Sequence, residues 1–269
     1  MLRYASSMQF LTLNNRGENM EEISSRKNPL IAHIKKLGAD KKARREAGEY
    51  FCQGDKLLYE AVKWGAKINT VLFCGDIPDV PECGRLVRVP KDVIESVSPM
   101  KSAPEVVFTC TMPDVWEPLA PGRHLIMENM QDPGNVGTIL RTADALDCDT
   151  VILAGDCADP FSPKAVRASM GAVFRHKIIE LPVDSLVEQA RDIDLPIYAA
   201  ALDSTAYDLR ELKLPESYAF AIGNEGHGLS RELLDASAAR VIIPMSERCE
   251  SLNAASAATV ILWEMFRSR

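Results

Sequence analysis

From residue 123 to the end of the chain, continuously apolar runs of four to six residues alternate with amphipathic stretches. Ala219-Phe220-Ala221-Ile222 is the plainest of these runs. Such a segment has no polar face to turn to water, so as a strand it must be covered on both sides. Strands of that kind, separated by helices, build a parallel sheet with helices on each face. The pattern predicts strands at 125–130, 150–153, 177–181, 196–202, 218–222 and 241–244. It predicts helices at 135–146, 163–171, 185–192, 229–236 and 251–266. Ser162 before Pro163 and Ser230 before residue 231 are placed as N-caps. Ligands of such sheets bind at the carboxyl ends of the strands. That rule singles out the loops after Met130, after Ile222 and after Pro244.

The first half reads differently. Leu30, Ile31, Ile34 and Leu37 recur at helical spacing, with Gly38 placed to stop the helix. Short strands are predicted at 50–52, 70–74 and 86–89, and a helix at 56–64. Together they make a small α/β unit over residues 20–111. Pro113, Pro118 and Pro121 mark residues 112–122 as a linker to the larger unit, 123–269. Residues 1–19 read as a disordered or non-native leader, with Met20 as an alternative start.

Composition narrows the function class. Of 269 residues 46% are hydrophobic and 26% charged, which fits a globular protein. No apolar run reaches the roughly 20 residues of a membrane span. The seven cysteines form no C-x-x-C pair and the four histidines are dispersed, so free thiols in the cytoplasm are expected and a metal centre is not. The net charge of −7 hides an uneven distribution: residues 26–45 hold eight basic side chains and one acid, Asp40. Phosphate binding depends on local charge. Lys35, Lys36, Lys41, Lys42, Arg44 and Arg45 are therefore candidate RNA contacts, or the solvated face of a helix.

The three loops carry the chemistry. In the first, Asn135 is placed to cap a helix and Arg141 stands a turn and a half further on. Its guanidinium can grip a phosphate in a bidentate manner, or pair with Asp144. The second, Gly223-Asn224-Glu225-Gly226-His227-Gly228, follows a strand and precedes a helix. Its G-x-x-G-x-G spacing is neither the dinucleotide fingerprint nor a P-loop, and Glu225 opposes a polyphosphate ligand. A dinucleotide-dependent oxidoreductase is thereby disfavoured. The third loop leads to a helix with Ser251 placed as its cap. Asn253, a poor helix former, is placed for a hydrogen-bonding task. The small residues from Ala254 to Ala258 suit either a second subunit or tight packing within one chain.

In this order the loops resemble the three motifs of the SPOUT methyltransferases, in their SpoU/TrmH branch: Asn135, Gly137 and Arg141; Gly223 to Leu229; Ile243-Pro244-Met245 with Glu250-Ser251-Leu252-Asn253. Residues 44–61 more loosely resemble the L30e-like substrate-binding domain often joined to them. The resemblance implies an α/β fold with a deep C-terminal trefoil knot, a homodimer through the knotted domain, and S-adenosylmethionine as methyl donor. The implied reaction is transfer to a ribose 2′-oxygen of RNA, ribosomal rather than transfer RNA by its two-domain build. It places the donor against Ala201, Leu202, Gly223, Ile243, Met245 and Leu252. Asn135, Arg141, Glu225, Ser251 and Asn253 would line the reacting end, with Arg141 either the base or a clamp on phosphate and alkoxide. One departure stands out: Ser246-Glu247 occupies a place where the family commonly has glycine. A non-catalytic RNA-binding or ribosome-assembly protein on the same fold is the alternative.

Overall fold

The computed structural model describes residues 20–268 apart from Asp79, Pro81, Lys101, Ser204, Glu225, Glu247, Cys249 and Glu250. The leader expected at 1–19 lies outside the described residues.

Among the described residues the chain builds two sheets. The first is formed by β1 (Glu21–Glu22), β2 (Glu49–Gln53), β3 (Ile68–Phe73), β4 (Arg85–Arg88) and β5 (Val106–Thr111), in the order β1-β4-β3-β5-β2. β5 runs antiparallel to both its neighbours, and the other pairs are parallel. Its helices are α1 (Pro29–Ala39), α2 (Lys41–Ala47), α3 (Asp55–Lys63) and α4 (Lys91–Val97). Ile31, Ile34 and Leu37 of α1 pack with Val93, Ile94 and Val97 of α4 against Phe51, Leu72 and Val107, closing one face of this sheet.

Gly38 does not stop the first helix. α1 runs through it to Ala39, and Asp40 then caps a second helix by accepting from the Lys42 amide at 2.9 Å. The glycine stop falls ten residues later, at Gly48, in the left-handed region at φ 62°. The basic run thus folds as two helices. α4 escaped the sequence reading because it is short; β5, as long as β3 and β6 and rich in β-branched and aromatic residues, was legible and was missed.

The second sheet consists of β6 (Arg123–Glu128), β7 (Thr150–Ala154), β8 (Ile178–Leu181), β9 (Ile197–Ala200), β10 (Tyr207–Asp208), β11 (Tyr218–Ile222) and β12 (Ala239–Ile242). Its order is β10-β12-β9-β11-β6-β7-β8 and every pair is parallel. One face carries α5 (Pro133–Ala145), α6 (Pro163–Ser169) and α9 (Ala254–Arg267). The other carries α7 (Val183–Asp192) and α8 (Arg231–Ala236). The chain leaves β6 toward β7 and β8, then returns to place β11 between β6 and β9. Strand order therefore reverses beside β6, the position at whose carboxyl ends ligands of such sheets bind.

The two units share one core. Tyr50 and Phe108 from the first sheet pack with Phe161, Val173 and Phe174, which flank α6 in the second unit, and the Tyr50 and Phe161 rings lie 5.0 Å apart. Residues 112–122 are no free tether, because Val115 and Leu119 are buried within the fold. Ala254, Ala255 and Ala258 are also buried, so the small-residue face of α9 serves packing within the chain.

Candidate active site

The predicted loops leave adjacent strands. β12, β9, β11 and β6 lie side by side and point the same way. The loops holding Ala201-Leu202, Gly223 to Gly228, Ile243 to Met245 and residues 129–135 therefore gather at one end of the sheet.

The loop after β6 is built on Asn129, which has φ 52°. Its side-chain oxygen accepts from the Asp156 amide at 2.8 Å, and its carbonyl accepts from Asn224 Nδ2 at 3.0 Å. The first and second loops are thus tied together. Asp132, rather than Asn135, caps α5: its carboxylate accepts from the amides of Gly134 (2.6 Å) and Asn135 (3.0 Å). A hydrogen bond from Lys164, reinforced by those amides, holds the Asp132 carboxyl below the usual range.

The second loop closes on itself. Asn224 and Gly228 exchange both backbone hydrogen bonds, at 3.1 and 2.9 Å. Asn224 Oδ1 also accepts from the Gly226 amide. A Cβ on Gly223 would collide with the Gly228 carbonyl and the Leu229 amide, so this position requires glycine for loop closure. Gly228 is the residue that uses a positive φ, 68°. Glu128, missed in the sequence reading, ends β6 fully buried. Its Oε2 accepts from the Ser230 amide at 2.7 Å, which anchors the start of α8. An acid at the end of an apolar strand was the signal that could have revealed it.

The third loop delivers Asn253, not Ser251, as the cap of α9: its Oδ1 accepts from the Ala255 amide at 3.0 Å. Asn253 Nδ2 reaches Asn135 Oδ1 at 3.4 Å, joining the first and third motifs across 118 residues of chain. Ser251 and Leu252 are exposed beside it. Glu225, Glu247 and Glu250 lie outside the described residues.

Arg141 is exposed on α5 and forms no ion pair with any described residue. Of the two roles open to Arg141, pairing with Asp144 is not the one the structure shows. Asp144 is taken by Arg175, whose Nη2 lies 2.6 Å from Oδ2 and whose Nη1 bonds Glu60 of α3 at 3.1 Å. With Asp144 engaged elsewhere, Arg141 has no acidic partner among the described residues, a turn and a half along α5 from Asn135.

The basic helices divide. Lys35, Lys36, Lys41 and Lys42 are exposed. Arg44 is not available to RNA. It is buried against Asp159, with Nε at 2.7 Å and Nη2 at 2.6 Å, and its Nη1 donates to the Leu37 carbonyl. Arg45 pairs with Glu180 and lies over the Phe161 ring. Both arginines reach the larger unit, Arg44 to Asp159 in the segment after β7 and Arg45 to Glu180 of β8, contacts invisible in a local charge count.

A donor with an adenine ring needs apolar surface and peptide groups to read its edge. Leu202 and Leu252 expose their side chains on two of the strand-end loops, and the half-buried Ala201, Gly223, Ile243 and Met245 lie on the same loops. This set fits such a group. Among the described residues no cluster of His, Cys, Asp or Glu is disposed to hold a metal ion.

A reversed parallel sheet with these three loops agrees with the fold implied by the resemblance to SPOUT methyltransferases. Residues 122–263 match the SpoU rRNA methylase family, and residues 28–108 match the MRM3-like substrate binding domain. The chain belongs to the SpoU rRNA methylase family. It is 31% identical over 250 residues to the 23S rRNA (guanosine(2553)-2'-O)-methyltransferase RlmP of Bacillus subtilis, covering 91% of this chain and 99% of that one. It is 30% identical over 276 residues to the 23S rRNA (uridine(2479)-2'-O)-methyltransferase of Streptomyces viridochromogenes, covering 95% and 96%. The AdoMet-bound rRNA methyltransferase from Sinorhizobium meliloti superimposes with a TM-score of 0.84 at 30% identity, over 92% of this chain and 98% of that one.

Proposed function

We propose that this protein transfers a methyl group from S-adenosylmethionine to a ribose 2′-oxygen of ribosomal RNA. The observation that carries the reading is Arg141: an exposed cation without an acidic partner among the described residues, on the helix whose first turn holds Asn135 against Asn253. Relatives covering nearly the whole chain are named as 23S rRNA 2′-O-methyltransferases, which favours ribosomal over transfer RNA.

The donor, when bound, supplies an electrophilic methyl on a sulfonium. Ala201, Leu202, Gly223, Ile243, Met245 and Leu252 would hold it by apolar contact and by their peptide groups. Asn135 and Asn253 would offer two side-chain amides to the ribose, with Ser251 beside them. An arginine side chain keeps its proton throughout the working pH range. Arg141 therefore acts as a clamp, orienting the adjoining phosphate and stabilising negative charge as it develops on the 2′-oxygen.

The family's deep trefoil knot is part of this reading. Its support is the insertion of β11 between β6 and β9, followed by the return of α9 onto α5. A homodimer is also proposed. α9 turns Val260, Trp263 and Phe266 outward, and the two rings lie 6.0 Å apart. Such a grouped apolar face suits burial against a second copy. The cytoplasm is the proposed compartment, in keeping with six free thiols among the described residues.

The test is calorimetry with S-adenosylmethionine, followed by mapping of 2′-O-methyl groups in ribosomal RNA from a deletion strain. Donor binding and loss of one methyl mark are expected. Arg141→Ala should lower transfer at least about 100-fold, as loss of one charge-stabilising donor does, while donor affinity holds. No donor binding together with an unchanged methylation pattern refutes the proposal.

A further inference from the structure

α3 packs Leu57, Leu58 and Ala61 into the core and turns Lys56, Tyr59 and Lys63 to solvent, at positions i, i+3 and i+7. Tyr59 is 66% exposed and Trp64, at the end of the helix, 48% exposed. The other rings of this unit, Tyr50, Phe51, Phe73 and Phe108, are buried. Neither lysine forms an ion pair with any described residue, in contrast to Lys42, Lys164 and Lys177. The result is a helix face on which basic and aromatic side chains alternate without acidic neutralisation of either lysine.

This face continues into the surface that bears Arg141. Trp64 is held in place: its Nε1 donates to Glu60 at 3.2 Å, and the cations of Arg175 and Lys63 lie 5.0 and 5.5 Å from its ring centre. Arg175 in turn grips Asp144, which stands three residues beyond Arg141, a rise of about 4.5 Å along α5. The exposed Met170 adjoins Gly171, where a Cβ would lie 2.8 Å from that of Glu60, so the two units meet here without a gap.

We propose that Lys56, Tyr59, Lys63 and Trp64 form a platform for single-stranded RNA, which takes nucleotides flanking the one that is methylated. The aromatic groups offer faces for base stacking, and the two lysines take phosphates on either side. Stacking on aromatic side chains with basic groups tracking the backbone is how unpaired RNA is held without strict sequence preference. The assignment rests on the RNA-methyltransferase reading and adds a second contact surface to the lysines of α1 and α2.

The test uses the full chain and a fluorescein-labelled oligouridine 12-mer, followed by anisotropy across a salt series. Tyr59→Ala should weaken binding about tenfold while Tyr59→Phe retains it. Lys63→Gln should reduce the slope of log affinity against log salt by about 0.7. Donor affinity by calorimetry should hold in all three variants. Unchanged oligonucleotide binding in both Tyr59→Ala and Lys63→Gln overturns the platform, as does dissociation of an oligomer by Tyr59→Ala in sedimentation, which would make the face a protein contact. Because binding is read without turnover, an inactive wild-type chain would refute the catalytic reading and leave the platform separately decided.

Discussion

Replacing Arg44 with methionine probes the junction between the two units most directly. The Arg44 and Asp159 side chains are 5% and 4% exposed, so the pair is desolvated on both sides. Methionine keeps much of the side-chain length and removes the charge. It deletes two hydrogen bonds to Asp159 Oδ2, at 2.7 and 2.6 Å, and one to the Leu37 carbonyl. Asp159 is left in the interior with the Phe161 amide on its other oxygen. Breaking a buried ion pair by removing one partner destabilises by about 3–5 kcal/mol, chiefly because the remaining charge is uncompensated. That is a large part of the roughly 5–15 kcal/mol of a folded domain. The assay is urea unfolding followed by tryptophan fluorescence and by far-ultraviolet circular dichroism, since separation of the two curves reports loss of coupling between the units. Adding Asp159→Asn in the double variant removes the stranded charge and should recover more than half of the loss. A single-variant loss below about 1 kcal/mol, or no recovery in the double variant, refutes the reasoning that charge compensation holds this junction.

Three further outcomes follow from the geometry. Gly223→Ala should lower donor affinity at least tenfold in calorimetry, because its Cβ collides with the Gly228 carbonyl and forces the Asn224–Gly228 loop open; unchanged affinity would separate that loop from the donor site. Trp263→Glu should convert a dimer to a monomer in analytical ultracentrifugation, and a wild type already monomeric at micromolar concentration contradicts the dimer. Burial pushes the His176 imidazole down to about 4 from its usual 6.5, so its contribution to stability is full above pH 6.5 and is lost as pH falls toward 4. Between pH 7 and pH 5 this amounts to about 2 kcal/mol, a dependence that His176→Gln should flatten in urea midpoints.

Much of the larger unit was legible because its strands are apolar on both faces. Segments such as 218–222 have no reading other than a covered strand, and the rule for strand ends then located three loops before any geometry was known. The caps were misassigned because Asn135 and Ser251 each lie near a better-placed acceptor, and only the backbone path shows that Asp132 and Asn253 face the open amides. The same limit applied to charge. Arg44, Arg45 and the nearby lysines form one basic run in the sequence, yet the helix break at Asp40 and the packing of α2 turn the two arginines inward. Arg141 and Asp144 sit at ideal helical spacing for a pair, and only the fold brings Arg175 to take the acid. For each of these charges the deciding partner lies more than thirty residues away, beyond the reach of periodicity.

The shared core around Tyr50 and Phe161, together with the Arg44–Asp159 bridge, has a consequence for target selection. On the function proposed above, the lysines of α1 and α2 would anchor RNA at a fixed offset from Arg141, and the protein would select by reach: an RNA whose reactive ribose lies at a different distance from its anchored phosphates would not present it to the clamp. Changing the target by exchanging residues 20–111 with those of a relative would therefore require Asp159, Glu180 and Phe161 to move with them, because the gauge is set by both halves.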